Sequence, residues 1–382
     1  MRWGATAAIG MVATIAMRAV SAQAVSAETV RGTAQIAGVD SAVELQTGEG
    51  IGDVRYRPLA GGAAWTSVPL DTLAPVIAIL ADQRLAFLHE AITRWAGDDL
   101  SLLRDAMIAR TRAAWEAGRA GARAGQPSQG AVRTRTRALL QYATALRDAG
   151  RWPEAIALLR QERDANPLKG EWDRSEWSSV SLAIAGAQAE QGRLDDAVAT
   201  LDDAAARLDA SPYAINADLQ AASMLAMAGR YEAASRHFDR AEHAFAPLAK
   251  RAQVVPGAMV QFDTVRACVL HGLGRTAEAA ALLARIDQAA APESRRYAPP
   301  PNRVLLERAA ICMKDATALA HVWRRDLERL PVGSVMLVTV QPGFRQPYYD
   351  AATLERARAI LGAPPPLRIL PDRYAPALNS WR

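Results

Sequence analysis

The sequence predicts an all-α fold, an α-solenoid of stacked helical hairpins with a small irregular or β segment at its N-terminus. Three observations carry this. First, Gly150, Gly192, Gly229 and Gly274 each open a Gly-Arg step whose surroundings repeat. Seven residues earlier stand Ala143, Ala185, Ala222 and Ala267; five later stand Ala155, Ala197, Ala234 and Ala279; nine later stand Leu159, Leu201, Phe238 and Leu283. Second, these offsets describe one object. A small residue lets two helices approach, glycine ends the first in a left-handed cap, and the second alanine and the large residue face back into the groove. Third, such a hairpin buries its apolar face only against another copy, so recurrence implies stacking.

In chain order, residues 1–27 read as an export signal. Arg2 is the positive n-region, Ala5–Met17 the short apolar stretch, and small residues at Ala19–Ala22 and Val25–Ala27 set cleavage near Ala22 or Ala27. Arg18 leaves the apolar run too short for a span of about 20 residues. Residues 28–72 are glycine-dotted, and Asp53–Pro58 and Ala64–Leu70 flank Gly61-Gly62 as a β-hairpin signal. Two helices follow, 73–95 and 100–124, the second capped by Asp98 or Asp99; together they form a helical cap over residues 73–125. Gly125–Gly130 is a linker into the repeats, which occupy 131–330. After the fourth copy, Pro292 and Pro299–Pro301 mark a break, and 303–313 with 316–329 suit a fifth, degenerate hairpin. In the tail, 331–382, Val335–Val340 reads as a β-type run that would pair with the N-terminal hairpin, and Asp350 caps a helix over 351–361.

The repeat resembles the tetratricopeptide repeat, an exported bacterial type of which would carry a signal such as this one. The first copy is closest, with Trp152 two residues after its glycine and Pro167 closing the second helix; the third supplies Tyr231, Phe238 and Ala241. The second copy has Leu194 and Ala204, and the fourth departs at Arg266 and Thr276. The glycines are 42, 37 and 45 residues apart, longer than the family's unit of about 34. The resemblance implies a right-handed solenoid whose first helices line a concave groove. Carried over by position, the groove set is Arg137, Thr144, Arg147 and Asp148, then Ser179 and Glu190, then Asn216, Ser223 and Met227, then Gln261, Thr264 and His271. A protein or peptide partner in the cell envelope is the implied ligand. The set departs from the clamp with which chaperone adaptors grip a C-terminal carboxylate.

Charge and motifs exclude more than they assign. The net charge of +5 comes from arginine, with only three lysines, and no arginine run interleaves with aromatics, so nucleic acid is not an expected partner. Nothing after residue 27 has transmembrane length, so the mature chain is expected to be periplasmic or secreted and not integral to a membrane. The five histidines show no metal spacing, and there is no nucleophile elbow, P-loop or catalytic cysteine context. The chain is therefore expected to be no enzyme and to carry no metal or cofactor. Trp152 and Trp323 read as core; Trp172 and Trp177 read as exposed anchors or, for Trp177, a helix staple. Exposed tryptophans would also suit an envelope glycan or peptidoglycan, the alternative function, with or without weak hydrolysis. Cys268 and Cys312, about one repeat apart, either pair or stay buried thiols.

Overall fold

The computed structural model describes residues 28–374 apart from 37, 48–51, 71–72, 124–128, 166–167, 169, 209–210, 250–255, 290–301, 328–333, 335, 343, 345–348 and 363–366. The expected signal, 1–27, lies outside the described residues. The rest is mostly helical, with one small antiparallel sheet at the N-terminus.

The sheet is a four-stranded meander in the order β1 (Glu28–Ile36), β2 (Val39–Thr47), β3 (Gly52–Pro58), β4 (Thr66–Pro69). The expected hairpin is β3–β4, with Gly61 and Gly62 at positive φ in its turn. Alternation sorts its faces. Ser41, Val43, Leu45 and Thr47 of β2 point inward with Val54 of β3. On the outer face, register aligns Arg31, Glu44 and Arg55 across three strands, and Glu44 lies 3.5 and 3.3 Å from the two guanidinium groups. The first hairpin was not read from the sequence because Gly32 interrupts β1. Its cause is tertiary: a Cβ there would stand 2.4 Å from the Phe87 ring.

The single helix expected over 73–95 is broken in two. Helix α1 (Leu73–Leu80) is buried along nearly its whole length, a 3-10 turn covers Gln83–Leu88, and α2 (His89–Ala96) follows. The break is made by competing partners for backbone groups. Asp82, fully buried, accepts from the Arg84 amide at 3.0 Å and from its guanidinium at 2.9 and 2.6 Å. The carbonyls of Ile79 and Asp82 accept from His89 Nε2, and that of Ala81 accepts from the Arg368 amide at 2.8 Å. Helix α3 (Ser101–Arg123) begins as expected, Asp99 accepting from the Ser101 amide at 3.0 Å.

Five helical hairpins follow: α4 (Gln129–Asp148) with α5 (Trp152–Asp164), α6 (Glu171–Glu190) with α7 (Leu194–Arg207), α8 (Pro212–Met227) with α9 (Tyr231–Ala249), α10 (Pro256–Gly272) with α11 (Thr276–Ala289), and α12 (Asn302–Cys312) with α13 (Ala316–Leu327). The four signature glycines all have φ near 75–81°. After each, the arginine amide reaches back to a carbonyl five residues earlier, as in Arg151 to Leu146 at 2.8 Å. In the fifth hairpin Lys314 takes the same left-handed position, φ 56°, with Asp315 bonded to Ala310. The signature alanines are buried at every copy, and Trp323 is fully buried in the fifth hairpin. Each first helix packs on the first helix of the next hairpin and on the second helix of the preceding one.

The tail differs from the expectation. The run expected as a strand over Val335–Val340 is none in its described residues: Met336–Thr339 forms a one-turn helix, α14, packed on α1 and α13, with Leu337 and Val338 buried. The consecutive residues Leu337 and Val338 are both buried, which a strand with one face on the sheet would not provide. Asp350 does cap α15 (Ala351–Leu361), accepting from the Thr353 amide at 2.9 Å. Closure onto the N-terminal region is made further on, where Leu367 pairs antiparallel with Asp82. Gln341 stitches that segment down, donating to the Arg368 carbonyl and accepting from the Leu370 amide, both at 2.9 Å. One contiguous apolar cluster consequently takes in the sheet, α1, α2, parts of α8, α10 and α12, and α13 through Tyr374.

Candidate functional site

The expected groove divides into an open part and a closed part. The open part is a cleft of about 650 Å³ between α3, α4 and α6, and it brings together Arg137, Thr144 and Ser179. That volume suits a small-molecule or peptide-side-chain site. Its apolar floor includes Met107, Val132 and Leu140; Arg110, Arg133 and Arg137 bring positive charge. The acidic member, Glu176, is paired within the protein: Arg135 donates to it at 2.7 and 3.3 Å and Thr136, also in the lining, at 2.8 Å. Ser179 donates to the Ser175 carbonyl one turn back, which fixes its rotamer and leaves its oxygen able to accept. Sequence reasoning missed the α3 wall, Met107, Arg110, Thr111 and Ala114, because α3 lacks the glycine framework. Its amphipathic Met107–Thr111 stretch was the available signal.

In the closed part three of the expected residues, Arg147, Asp148 and Glu190, are engaged by the chain itself. Arg147 pairs with Glu190 and stacks over Trp152 at 5.3 Å. Asp148 is buried and accepts from the backbone of Leu73 at the start of α1. Burial pushes its carboxyl up to about 7, against the pull of Arg147 and with a push from Glu190. Glu190 is likewise raised by burial, opposed by Arg147. Nearby, burial drives Tyr349 up to about 12, and Glu307 accepts from Trp323 Nε1 at 3.1 Å and Thr339 at 3.0 Å. These groups hold α1 and the tail against the ends of the first helices.

The remaining expected residues do not line the cleft. Asn216 and Gln261 are exposed, Ser223 and His271 half-buried. Met227 is buried in the main apolar cluster, and Thr264 is buried with its hydroxyl on the Val260 carbonyl at 2.7 Å. Trp177 is no exposed anchor: it is 3% exposed, between the guanidinium groups of Arg163 and Arg207 at 5.2 and 5.7 Å. The side chain of Trp172 lies outside the described residues. Cys268 and Cys312 are buried thiols.

One cluster has ligand chemistry that sequence spacing concealed. Asp202, Asp218 and His237, from α7, α8 and α9, bring ligand atoms within 4.8 Å of one another. Arg240 Nη2, however, sits among them, 2.9 Å from Asp202, 2.6 Å from Asp218 and 2.7 Å from His237. Burial would raise Asp218, but hydrogen bonds from His237 and Arg240 outweigh it and hold the carboxyl below its usual range. The guanidinium thus supplies the cation that the two carboxylates require, and the group reads as an ion-pair network joining the second and third hairpins.

Among the described residues no helix is long and apolar enough to cross a membrane. No protein-family model, curated protein or solved structure matches the chain.

Proposed function

We propose that the chain is a tetratricopeptide-like α-solenoid, exported to the cell envelope, that binds a protein or peptide partner and performs no chemistry. The left-handed turn repeated at five hairpins and the first-helix-to-first-helix packing support the solenoid reading. The observation that carries the binding reading is the cleft: three of the residues expected to face a partner, Arg137, Thr144 and Ser179, share it with an apolar floor. Apolar contact would supply affinity, and the arginines and hydroxyls would orient the partner. The alternative of an envelope glycan stands on loop tryptophans such as Trp172, whose side chain lies outside the described residues; the buried Trp177 ring offers no face on which a sugar could stack.

Filling the cleft tests the reading. Thr144→Trp and Ser179→Trp each place an indole in it, while Asp239→Ala alters an exposed residue of α9 as control. Crosslinking and capture from envelope extracts with the full chain should lose at least about tenfold of the specific partner in both tryptophan variants and none in the control, as for truncation of a hot spot. Equal recovery from all three proteins would reject the cleft as the binding site.

A further inference from the structure

The only two cysteines of the 382-residue chain stand on consecutive first helices, Cys268 on α10 and Cys312 at the end of α12. These helices pack directly against each other. Both side chains are at most 5% exposed and belong to the same apolar cluster. The two thiols are close enough to act on each other: besides burial, the hydrogen bond and charge of Cys312 are what hold the Cys268 thiol well up. Two cysteines scattered at random through a chain this long would seldom meet in one interior contact. As thiols they add little there, each being a weak donor and weak acceptor in an apolar setting.

We propose that Cys268 and Cys312 are a disulfide site that staples the fourth helical hairpin to the fifth. Formation is a thiol–disulfide exchange with an incoming disulfide, either glutathione disulfide or the active-site disulfide of a dithiol oxidoreductase. One cysteine, as thiolate, attacks it and forms a mixed disulfide, releasing one thiol of the oxidant. The other, losing its proton, attacks the mixed disulfide; the Cys268–Cys312 bond forms and the oxidant leaves as its second thiol. The protein loses two protons and two electrons, and the oxidant gains them. Because both sulfurs are buried, exchange takes place before α12 closes on α10. The bond therefore belongs to folding in an oxidising compartment, which export would supply, and it does not depend on the cleft being a binding site.

The bond crosses the stretch that separates the two hairpins and closes a long loop, the case in which cross-linking constrains the unfolded chain most.

The test uses the full chain, unfolded and refolded in glutathione redox buffer with and without a dithiol oxidoreductase, then denatured and alkylated. The expected result is a product carrying no alkyl group, lighter than the reduced chain by two hydrogens, with a Cys268–Cys312 peptide pair in the digest. Its melting temperature should exceed that of the same protein reduced and of the Cys268→Ser/Cys312→Ser variant by several degrees. Since that variant could misfold for other reasons, the reduced wild type is the second reference. Two alkylated thiols after refolding with the oxidoreductase, or a bridge formed only between chains, would overturn the proposal. So would a bridge that lowers the melting temperature below that of the reduced wild type.

Discussion

At the scale of single residues, the left-handed turns were fully legible: a glycine followed by arginine, with alanines at fixed offsets, is a local signal, and each such glycine adopts the positive φ it implies. Lys314 was not legible, because nothing in a lysine announces that it will stand where the other copies have glycine. Left-handed backbone costs a residue with a Cβ roughly 1–2 kcal/mol. Lys314→Gly should accordingly raise stability by about 0.5–1 kcal/mol, the gain being reduced by the greater entropy of the unfolded glycine chain; denaturant midpoints measure it. Asp148 was read as a ligand contact because its partner, the Leu73 backbone, lies far away in sequence. Its folded carboxyl titrates near 7 against an ordinary 3.8, so between those values the folded protein holds a proton that the unfolded chain has released. Stability is then greatest at the acid end of this window and declines as pH rises to about 7, with Glu190 acting in the same sense. His89, lowered by burial and by Arg368, acts oppositely as pH falls below its ordinary 6.5. The difference between proteins isolates the aspartate. Asp148→Asn, which copies the protonated form, should flatten the decline of melting temperature between pH 5 and 7.5 that is expected of the wild type. Parallel curves for the two proteins would sink the assignment.

At the scale of elements, helices with internal periodicity were readable and those shaped by distant partners were not. The repeat helices, α3 and α15 begin or end on their own capping residues. Helix α1, by contrast, stops because Arg368 and His89 take up the carbonyls that would have continued it. The apolar stretch Met336–Thr339 folds as helix, packed on α1 and α13, where periodicity two confers no advantage. Strand β1 was obscured by Gly32, whose missing side chain admits Phe87. Gly32→Val should cost about 1–3 kcal/mol by overpacking and speed amide exchange in β1. Adding Phe87→Ala should recover part of that loss, and no recovery would mean that the ring is not what the glycine accommodates. The α3 wall of the cleft was missed for a related reason: it belongs to the hairpin family by packing and not by sequence.

At the scale of the whole molecule, the sequence implied an open groove along all the first helices, whereas Arg147, Asp148 and Glu190 are engaged by one another and by α1, and the described cleft lies between α3, α4 and α6. No local pattern could reveal this, since the partners lie far apart in the sequence. Ending the chain after Gly362 removes Leu367, Leu370 and Tyr374 from the main cluster and takes away the Ala81 and Asp82 pairings. The truncated protein should melt several degrees lower, with fast amide exchange in α1 and α2 and little change in α6 to α9, as expected for a local unit of stability; uniform loss of protection would contradict that division.

The Leu367–Asp82 pairing also has a temporal meaning. Helix α1 is closed off by backbone partners that are synthesised long after it, so a chain still emerging from a ribosome lacks the means to finish that segment. Such a dependence leaves α1 pliable during synthesis and makes a copy terminated before residue 367 an easy substrate for proteases.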